Sequence, residues 1–261
     1  MKIKTILLFF IIIITFYQVN GKKTNKTEKT NKITDIENII GKQVHIKAGN
    51  YFIGNNKEKD NKPLRKKYFK SFYIDITPVT NKQYLKFIKE SSYKPMGKFL
   101  SLEPEKNPYL PATALTYYDA KSYAKYYHKR LPTEWEWEIA ARSLRQDVIY
   151  VSIELNHRKR GHFIYDRIYR KKQVCSYPPN IIGIYGMAGN VFEWTKSEYD
   201  NEFLYGEYYK KHRIMVLRGG SWSNNATDVR VTTRTPFAAS RELNWLGFRC
   251  VSKTPVNTYV K

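Results

Sequence analysis

The side chains best suited to metal chemistry, cysteine and histidine, are few and dispersed in this sequence. The cysteines are Cys175 and Cys250, and the histidines are His45, His128, His157, His162 and His212. An iron site of the oxygenase type needs two histidines and a carboxylate, or three histidines, converging on one point. His128 stands beside Lys129 and Arg130, and His157 and His162 lie in a basic stretch whose cations would repel a metal. We therefore expect surface histidines and no iron site.

A second group with chemical potential is the set of glutamates in RLPTEWEWE, residues 130–138. Paired carboxylates can act as general acid and general base. We favour a structural interpretation, in which Thr133 caps a helix, the first glutamates lie in its positively charged first turn, and the tryptophans pack inward. Arg130 is a candidate partner for a buried carboxylate such as Glu138.

Three helices must position these residues, and each has the sequence signature of a capping box. The capping pairs are Thr80 with Gln83, Thr116 with Asp119, and Thr133 with Glu136. The second helix is expected to run to about His128. Elsewhere the chain consists of short apolar runs broken by Gly, Pro and Asn, which predicts an α+β domain with few helices, short strands and much irregular structure.

The N-terminus has the pattern of a secretory signal peptide over residues 1–21. Lys2 and Lys4 precede a predominantly apolar run, Ile6–Phe16, and a plausible cleavage point lies ahead of Lys22. This run is shorter than the roughly 20 residues that a membrane-spanning helix needs. We therefore expect an exported protein (periplasm, cell envelope or extracellular) without a spanning segment in the mature chain. Residues 22–35 are expected to form a flexible linker and residues 36–261 a single domain.

Export bears on the two cysteines, because disulfides persist in oxidising compartments. Cys175 and Cys250 could form one disulfide or stay as two separate buried thiols. The sequence leaves both alternatives open, since spacing alone does not show whether two cysteines meet.

The chain is strongly basic, with a formal net charge of +23. Such a charge attracts nucleic acids and anionic surfaces. A nucleic-acid interface, however, also needs a recognition helix or an aromatic–basic platform, and the lysines are spread along the sequence instead. We expect a solvated, lysine-rich surface and no nucleic-acid partner.

Several motifs, taken in chain order, resemble those of the formylglycine-generating-enzyme (sulfatase-modifying factor) family. They are GNYFIG at 49–54, FYID with PVTN and Tyr84 at 72–84, Pro111–Ala120, RLPTEWEWE with Ala140–Arg142, NIIGIYGMAGNVFEW at 180–194, LRGGSW at 217–222, Arg230, Arg234, and GFR at 247–249. The resemblance implies a single compact α+β domain of the C-type-lectin-like type. It also implies a family with several uses, among them copper-dependent oxidation of a sulfatase cysteine.

The resemblance fails where that copper chemistry would be. Sulfatase-activating members place two cysteines between the GGSW strand and the following arginine-rich strand, where soft thiolates suit copper(I). Here the connecting residues, 223–229, read SNNATDV and contain no thiol. Copper is therefore not expected as a cofactor.

A calcium site is a second implication of the family. In calcium-binding relatives the segment matching Gly189–Trp194 supplies oxygen ligands, which suit a hard cation. The candidate ligands here are Asn190, Val191 and Glu193; the alternative is that Asn190 and Glu193 hydrogen-bond the local backbone. The other calcium site of the family is not expected, because the basic stretch 146–174 lacks its usual motif.

The function that best matches intact framework motifs and a lost metal site is a non-catalytic scaffold or binding module. Its expected ligand is an envelope protein or a glycan, bound in a groove of Trp222, Asn224, Asn225, Asp228, Arg230 and Arg234. One alternative is a family-type oxidase, which would need Cys175 and Cys250 to converge in the active groove. Another is an auxiliary enzyme that uses Asp228, Arg230 or Arg234.

Overall fold

The structure, a computed structural model, describes residues 34–56, 63–145, 170–200, 206–225 and 228–256. The predicted signal peptide, most of the predicted linker, and His157 and His162 lie outside these residues. The chain divides into two units, 1–39 and 40–261, and the described part of the first is a helix, α1, over residues 34–39. The predicted domain over 36–261 stays a prediction. No helix in the described ranges has the length and apolar character needed to cross a membrane.

Three helices of the second unit begin at the predicted caps. Helix α2 spans Asn81–Ser91, α3 spans Tyr117–Tyr126 and α4 spans Glu134–Ala141. Each begins with a complete capping box, in which the cap threonine and the residue three positions later bond each other's backbone N–H. Helix α3 ends slightly earlier than predicted. A short helix, α5, covers Glu207–Lys211, and two single 3₁₀ turns cover Phe99–Leu102 and Pro104–Lys106.

Within the described ranges, nine short strands form three small sheets. The strands are β1 (Gln43–Ile46), β2 (Gly49–Ile53), β3 (Arg65–Phe69), β4 (Phe72–Asp75), β5 (Phe192–Glu198), β6 (Ile214–Arg218), β7 (Thr235–Ala238), β8 (Leu246–Gly247) and β9 (Val251–Ser252). The sheet orders are β1-β4-β9, β2-β3 and β7-β6-β5-β8. All described pairs are antiparallel except β5 with β8.

The apolar core has two main parts. One packs α2 and α3 against the four-stranded sheet through buried aromatic residues such as Tyr84, Phe87, Tyr123 and Trp194. The other packs α4, through Trp137 and Ile139, against the smaller sheets. Burial of large aromatic side chains contributes most of the apolar stabilisation in such a core.

Irregular segments are held in place by buried carboxylates. Asp119, at the start of α3, accepts hydrogen bonds from the hydroxyl and backbone of Thr116, the Tyr93 hydroxyl, and the backbone N–H groups of Met96 and Gly97. Buried backbone N–H groups need hydrogen-bond acceptors. In this segment the Asp119 carboxylate is the acceptor, in the role that backbone carbonyls have in a regular sheet. The predicted α+β class with much irregular structure is confirmed.

Candidate functional site

The glutamates of α4 are bound to arginines from distant parts of the chain. Arg218 donates through Nη2 to Glu138 Oε2 at 2.9 Å and to Glu134 Oε2 at 3.2 Å. Arg234 Nε donates to Glu134 Oε2 at 2.6 Å, and Arg142 Nε donates to Glu138 Oε1 at 2.8 Å. Buried carboxylates in such pairs brace helices and strands; they are not positioned to exchange protons with a substrate.

Arg130 pairs with Glu136 and not with Glu138. Its two terminal nitrogens lie 2.7 and 2.6 Å from the two carboxylate oxygens of Glu136. Burial raises the pKa of Glu136, but the hydrogen bonds and charge of Arg130, with bonds from Thr133, bring it below its ordinary value. The suggested partner, Glu138, is taken by Arg142 and Arg218.

The carboxylate of Glu193, a predicted calcium ligand, is paired with an arginine. Arg249 donates to its carboxylate through Nε at 2.7 Å and Nη2 at 2.8 Å, and Trp137 Nε1 donates at 2.8 Å. Neither Glu193 nor Arg249 has any exposed surface. Since a guanidinium and an indole already occupy both oxygens, these residues as arranged do not fit a calcium ion.

Asn190, the second predicted ligand, joins three segments of chain. It lies in a turn with a positive φ of 66°, and its side chain accepts from the N–H of Lys172 and donates to the C=O of the same residue. Its own C=O accepts from the N–H of Trp222 at 3.2 Å. The amide therefore acts on backbone, as in the alternative to metal binding. Val191, the third predicted ligand, is buried and bonds Gly189 through its N–H.

The thiol-free loop after β6 is closed by its own side chains. Asn224 Oδ1 accepts from the N–H and the hydroxyl of Ser221 at 3.0 and 2.7 Å. Asn224 Nδ2 donates to Asp228 Oδ2 at 3.3 Å, and the N–H of Asp228 donates to Asn225 Oδ1 at 3.2 Å. Short polar side chains that bond neighbouring backbone stabilise such turns. The described residues of the loop thus form a defined surface without a metal ligand set.

The predicted groove is only partly assembled. Trp222, Asn224, Asn225 and Asp228 share the loop, whereas Arg234 lies apart, paired with Glu134 and over the Tyr199 ring at 4.7 Å. Arg234 thus takes part in the framework, and its role in the groove stays a prediction. Arg230 is half-buried and bonds Thr233 through its C=O.

The two cysteines do not form a disulfide. Cys250 is fully buried against Asp75, whose carboxylate accepts from its N–H at 3.0 Å. Burial raises the pKa of the Cys250 thiol well above its ordinary value. Cys175 is half-buried in an open groove of about 350 Å³ whose walls include Pro78, Tyr177 and Tyr185. The candidate disulfide is corrected to two separate thiols, one in the core and one near the surface.

Lys171 has a perturbed pKa that the sequence did not indicate. Its amine donates to the hydroxyl of buried Thr113, and burial lowers the pKa of Lys171 to about 8. Nothing distinguishes this lysine from its many neighbours in sequence.

Among the described residues, no group of histidine, cysteine and carboxylate side chains could hold a metal ion. His45 and His212 stack on Tyr73 and Tyr208.

The chain matches a family model described as the sulfatase-modifying factor enzyme 1-like domain over residues 29–254. Serine/threonine-protein kinase pkn1 of Chlamydia pneumoniae is 31% identical over 240 residues, which cover 81% of this chain and 38% of that protein. The chain therefore spans well under half the length of that relative. The inactive C-alpha-formylglycine-generating enzyme 2 of Mus musculus is 29% identical over 272 residues, covering 80% of this chain and 85% of that protein.

Solved structures share the fold. The structure of PvdO from Pseudomonas aeruginosa superposes with a TM-score of 0.66 at 24% identity, covering 80% of this chain and 93% of that one. At this identity the likeness concerns the fold alone. The same fold is thus built from largely different side chains.

Proposed function

Because the chain belongs to the sulfatase-modifying factor enzyme 1-like family, we propose that it is an exported, non-catalytic scaffold or binding module of the cell envelope. One observation carries the proposal: the loop Ser221–Asp228 has no thiol, and its polar side chains bond each other. Oxygen and amide groups do not replace a pair of thiolates for copper(I).

The positions of the remaining thiols support this conclusion. Cys250 is sealed in the core, and the raised pKa of its thiol keeps it protonated. A protonated, inaccessible thiol neither binds copper nor attacks a substrate. Cys175 alone gives one thiol near the surface, which is one too few for a two-coordinate copper(I) site.

The family framework is nevertheless intact. The buried pairs Arg249–Glu193 and Arg218–Glu138 hold β5, β6 and α4 together. A framework kept at full burial beside a loop without metal ligands is the arrangement expected of a binding module. The word "inactive" in the name of the mouse relative agrees with this role. The kinase name of the Chlamydia relative is not transferred, since the match covers 38% of that protein.

The decisive experiment is an oxidation assay. The purified protein is loaded with copper(I) under oxygen, offered a cysteine-bearing sulfatase peptide, and the peptide is followed by mass spectrometry. We expect the thiol to stay unchanged, while an active formylglycine-generating enzyme converts it to an aldehyde. Aldehyde formed by this protein, and lost in Cys175→Ser or Cys250→Ser, would establish an oxidase with relocated ligands.

Export requires a separate test. The signal-like pattern of residues 1–21 supports it. Expression of the full chain should give an envelope or secreted product whose N-terminus, determined by mass spectrometry, is Lys22. Retention in the cytoplasm with an intact N-terminus would contradict export without affecting the oxidation result.

A further inference from the structure

The two strands of the β2–β3 hairpin and the residues beside them carry charges of one sign only. Residues 47–54 and 65–70 contain the cations Lys47, Arg65, Lys66, Lys67 and Lys70 and no carboxylate. The first four residues of β3 are exposed. The sequence shows no aromatic–basic platform, but the folded hairpin places Tyr51, Phe52, Tyr68 and Phe69 on the same two strands as these cations. Such a surface favours a polyanionic partner.

The outer edge of β3 is open within the described part of the chain. β3 pairs with β2 in a two-stranded sheet, in the antiparallel register Ile53↔Arg65 to Gly49↔Phe69. In an antiparallel pair, alternate residues direct their N–H and C=O groups away from the partner strand. These groups form a ready template for another extended chain.

The hairpin is held rigidly on its inner side. The N–H of Gly54, at the end of β2, donates to Glu138 Oε1 at 2.8 Å, and Arg142 donates to the C=O of Gly54. Ile53 is fully buried, and the Arg65 guanidinium lies 5.0 Å from the centroid of the Trp135 ring. A preformed edge avoids part of the ordering cost of binding.

The face of the hairpin that carries Lys66 and Tyr68 combines positive charge with aromatic rings. Lys66 lies over the Phe52 ring at 5.6 Å, and the neighbouring Tyr68 is 58% exposed. A second copy of this chain would bring the same cations to the edge, so self-pairing is opposed by repulsion. An acidic chain is instead attracted to this edge, since its backbone can pair with the edge while its carboxylates contact the lysines.

We propose that the outer edge of β3 binds an acidic, extended segment of a partner protein as an added strand. This inference names the partner class of the binding module and rests on that proposed function. Polysaccharides and nucleic acids share the charge but lack the alternating N–H and C=O groups that match a strand edge.

The test uses two labelled peptides of about eight residues with equal charge. One alternates Glu with Thr, and the other repeats Glu-Glu-Pro-Pro, in which consecutive prolines remove backbone donors from both edges of an extended chain. We expect the Glu–Thr peptide to bind the purified protein, measured by fluorescence anisotropy at physiological salt, and the Glu–Pro peptide to bind roughly tenfold more weakly. Amide hydrogen exchange of β3 should slow only with the Glu–Thr peptide.

Matched variants separate local contacts from overall charge. Lys66→Glu with Lys67→Glu should weaken binding of the Glu–Thr peptide roughly tenfold or more. Lys121→Glu with Lys125→Glu, on the exposed face of α3, changes the net charge equally and should have little effect. Circular dichroism checks that both variants fold.

Several results would overturn the inference. Equal binding of the two peptides, or an equal effect of the two variant pairs, would mean general attraction to polyanions. Absence of peptide binding, with heparin retained in a Lys66- and Lys67-dependent way, would assign the surface to an acidic polysaccharide. None of these results alters the oxidation assay, so failure of this inference and of the proposed function are distinguishable.

Discussion

The arginine–carboxylate pairs around α4 and the loop after β6 are neighbours in the fold, but they are stabilised in different ways. In the framework, most buried charges have a partner from far along the chain, such as Arg249 for Glu193, although Glu138 also binds Arg142 four positions away. In the loop, Asn224 and Asp228 are satisfied by residues within four positions. A locally satisfied loop can change its side chains without disturbing the core, whereas a framework pair cannot lose one member alone.

The largest predicted effect is on the framework. Glu193→Gln leaves the fully buried Arg249 without its counter-charge, and breaking a buried pair in this way costs about 3–5 kcal/mol. We expect that loss in the free energy of unfolding, measured with urea and tryptophan fluorescence. Glu198→Gln is the control, because its pair with Arg213 is 60% and 44% exposed and should be worth about 0–1 kcal/mol. Equal losses would show that the buried pair does not hold the framework.

The next effect is at the junction of the two regions. Gly220 has a φ of 68°, and a Cβ there would lie 2.6 Å from Val229 Cγ1. Gly220→Ala should therefore combine backbone strain with a steric clash, about 1–3 kcal/mol together. Gly183→Ala, at a φ of 86° with nothing within 4 Å, tests the backbone term alone in thermal unfolding. A Gly220→Ala variant no less stable than Gly183→Ala would mean that the loop moves freely.

A smaller effect concerns Lys171, whose neighbour Lys172 is bonded by Asn190. Burial lowers the pKa of Lys171 to about 8 from an ordinary 10.5, so the unfolded chain binds more protons between these two values. The contribution of Lys171 to stability therefore rises with pH across that window. Lys171→Met should stabilise the protein by roughly 1 kcal/mol at neutral pH, and the gain should shrink as pH rises from 8 to 10.5.

The measurement is a set of urea unfolding curves across that pH range, with exposed Lys121→Met as the control. Lys121→Met should show no pH-dependent gain. A constant gain for Lys171→Met would mean that packing, and not the charge of the amine, limits stability at this position.

The smallest stability effect is expected within the loop. Asn224 Nδ2 and Asp228 Oδ2 lie 3.3 Å apart, so Asn224→Cys with Asp228→Cys places two thiols side by side on the surface. We expect a cost of about 1 kcal/mol or less and a gain of one copper(I) site in competition with a chromogenic chelator. The single variant Asn224→Cys should bind more weakly. No gain in the double variant would show that the loop has lost the backbone geometry as well as the thiols.

The residues that sequence patterns located correctly are those whose interactions are local. The caps at Thr80, Thr116 and Thr133 depend on a residue three positions away, and all three formed. Asn190 bonds backbone, as one of its two interpretations expected, but that backbone belongs to Lys172, 18 positions away. Family resemblance also gave the fold, because many weak motifs in a fixed order are specific together.

Sequence patterns did not locate the partners of residues whose contacts are distant. Arg234 follows the loop in sequence, yet it pairs with Glu134, 100 positions away. The basic run Arg65–Lys67 was not singled out, because its pairing with β2 and the opposite edge of β3 are properties of the folded hairpin. Glu193 has the carboxylate that a calcium ligand needs, and only the folded structure shows that this carboxylate pairs with Arg249.

The long separation between the α4 glutamates and their arginines also bears on when the protein can fold. Glu134 and Glu138 precede Arg218 by 84 and 80 positions, so both emerge from the ribosome well before that partner. Until then, burial of α4 would leave the Glu134 carboxylate without a cation, which opposes early collapse of the first half of the chain. We therefore expect the domain to fold only after most of the polypeptide has been made, and a chain that is still unfolded at that stage is suited to the export proposed above.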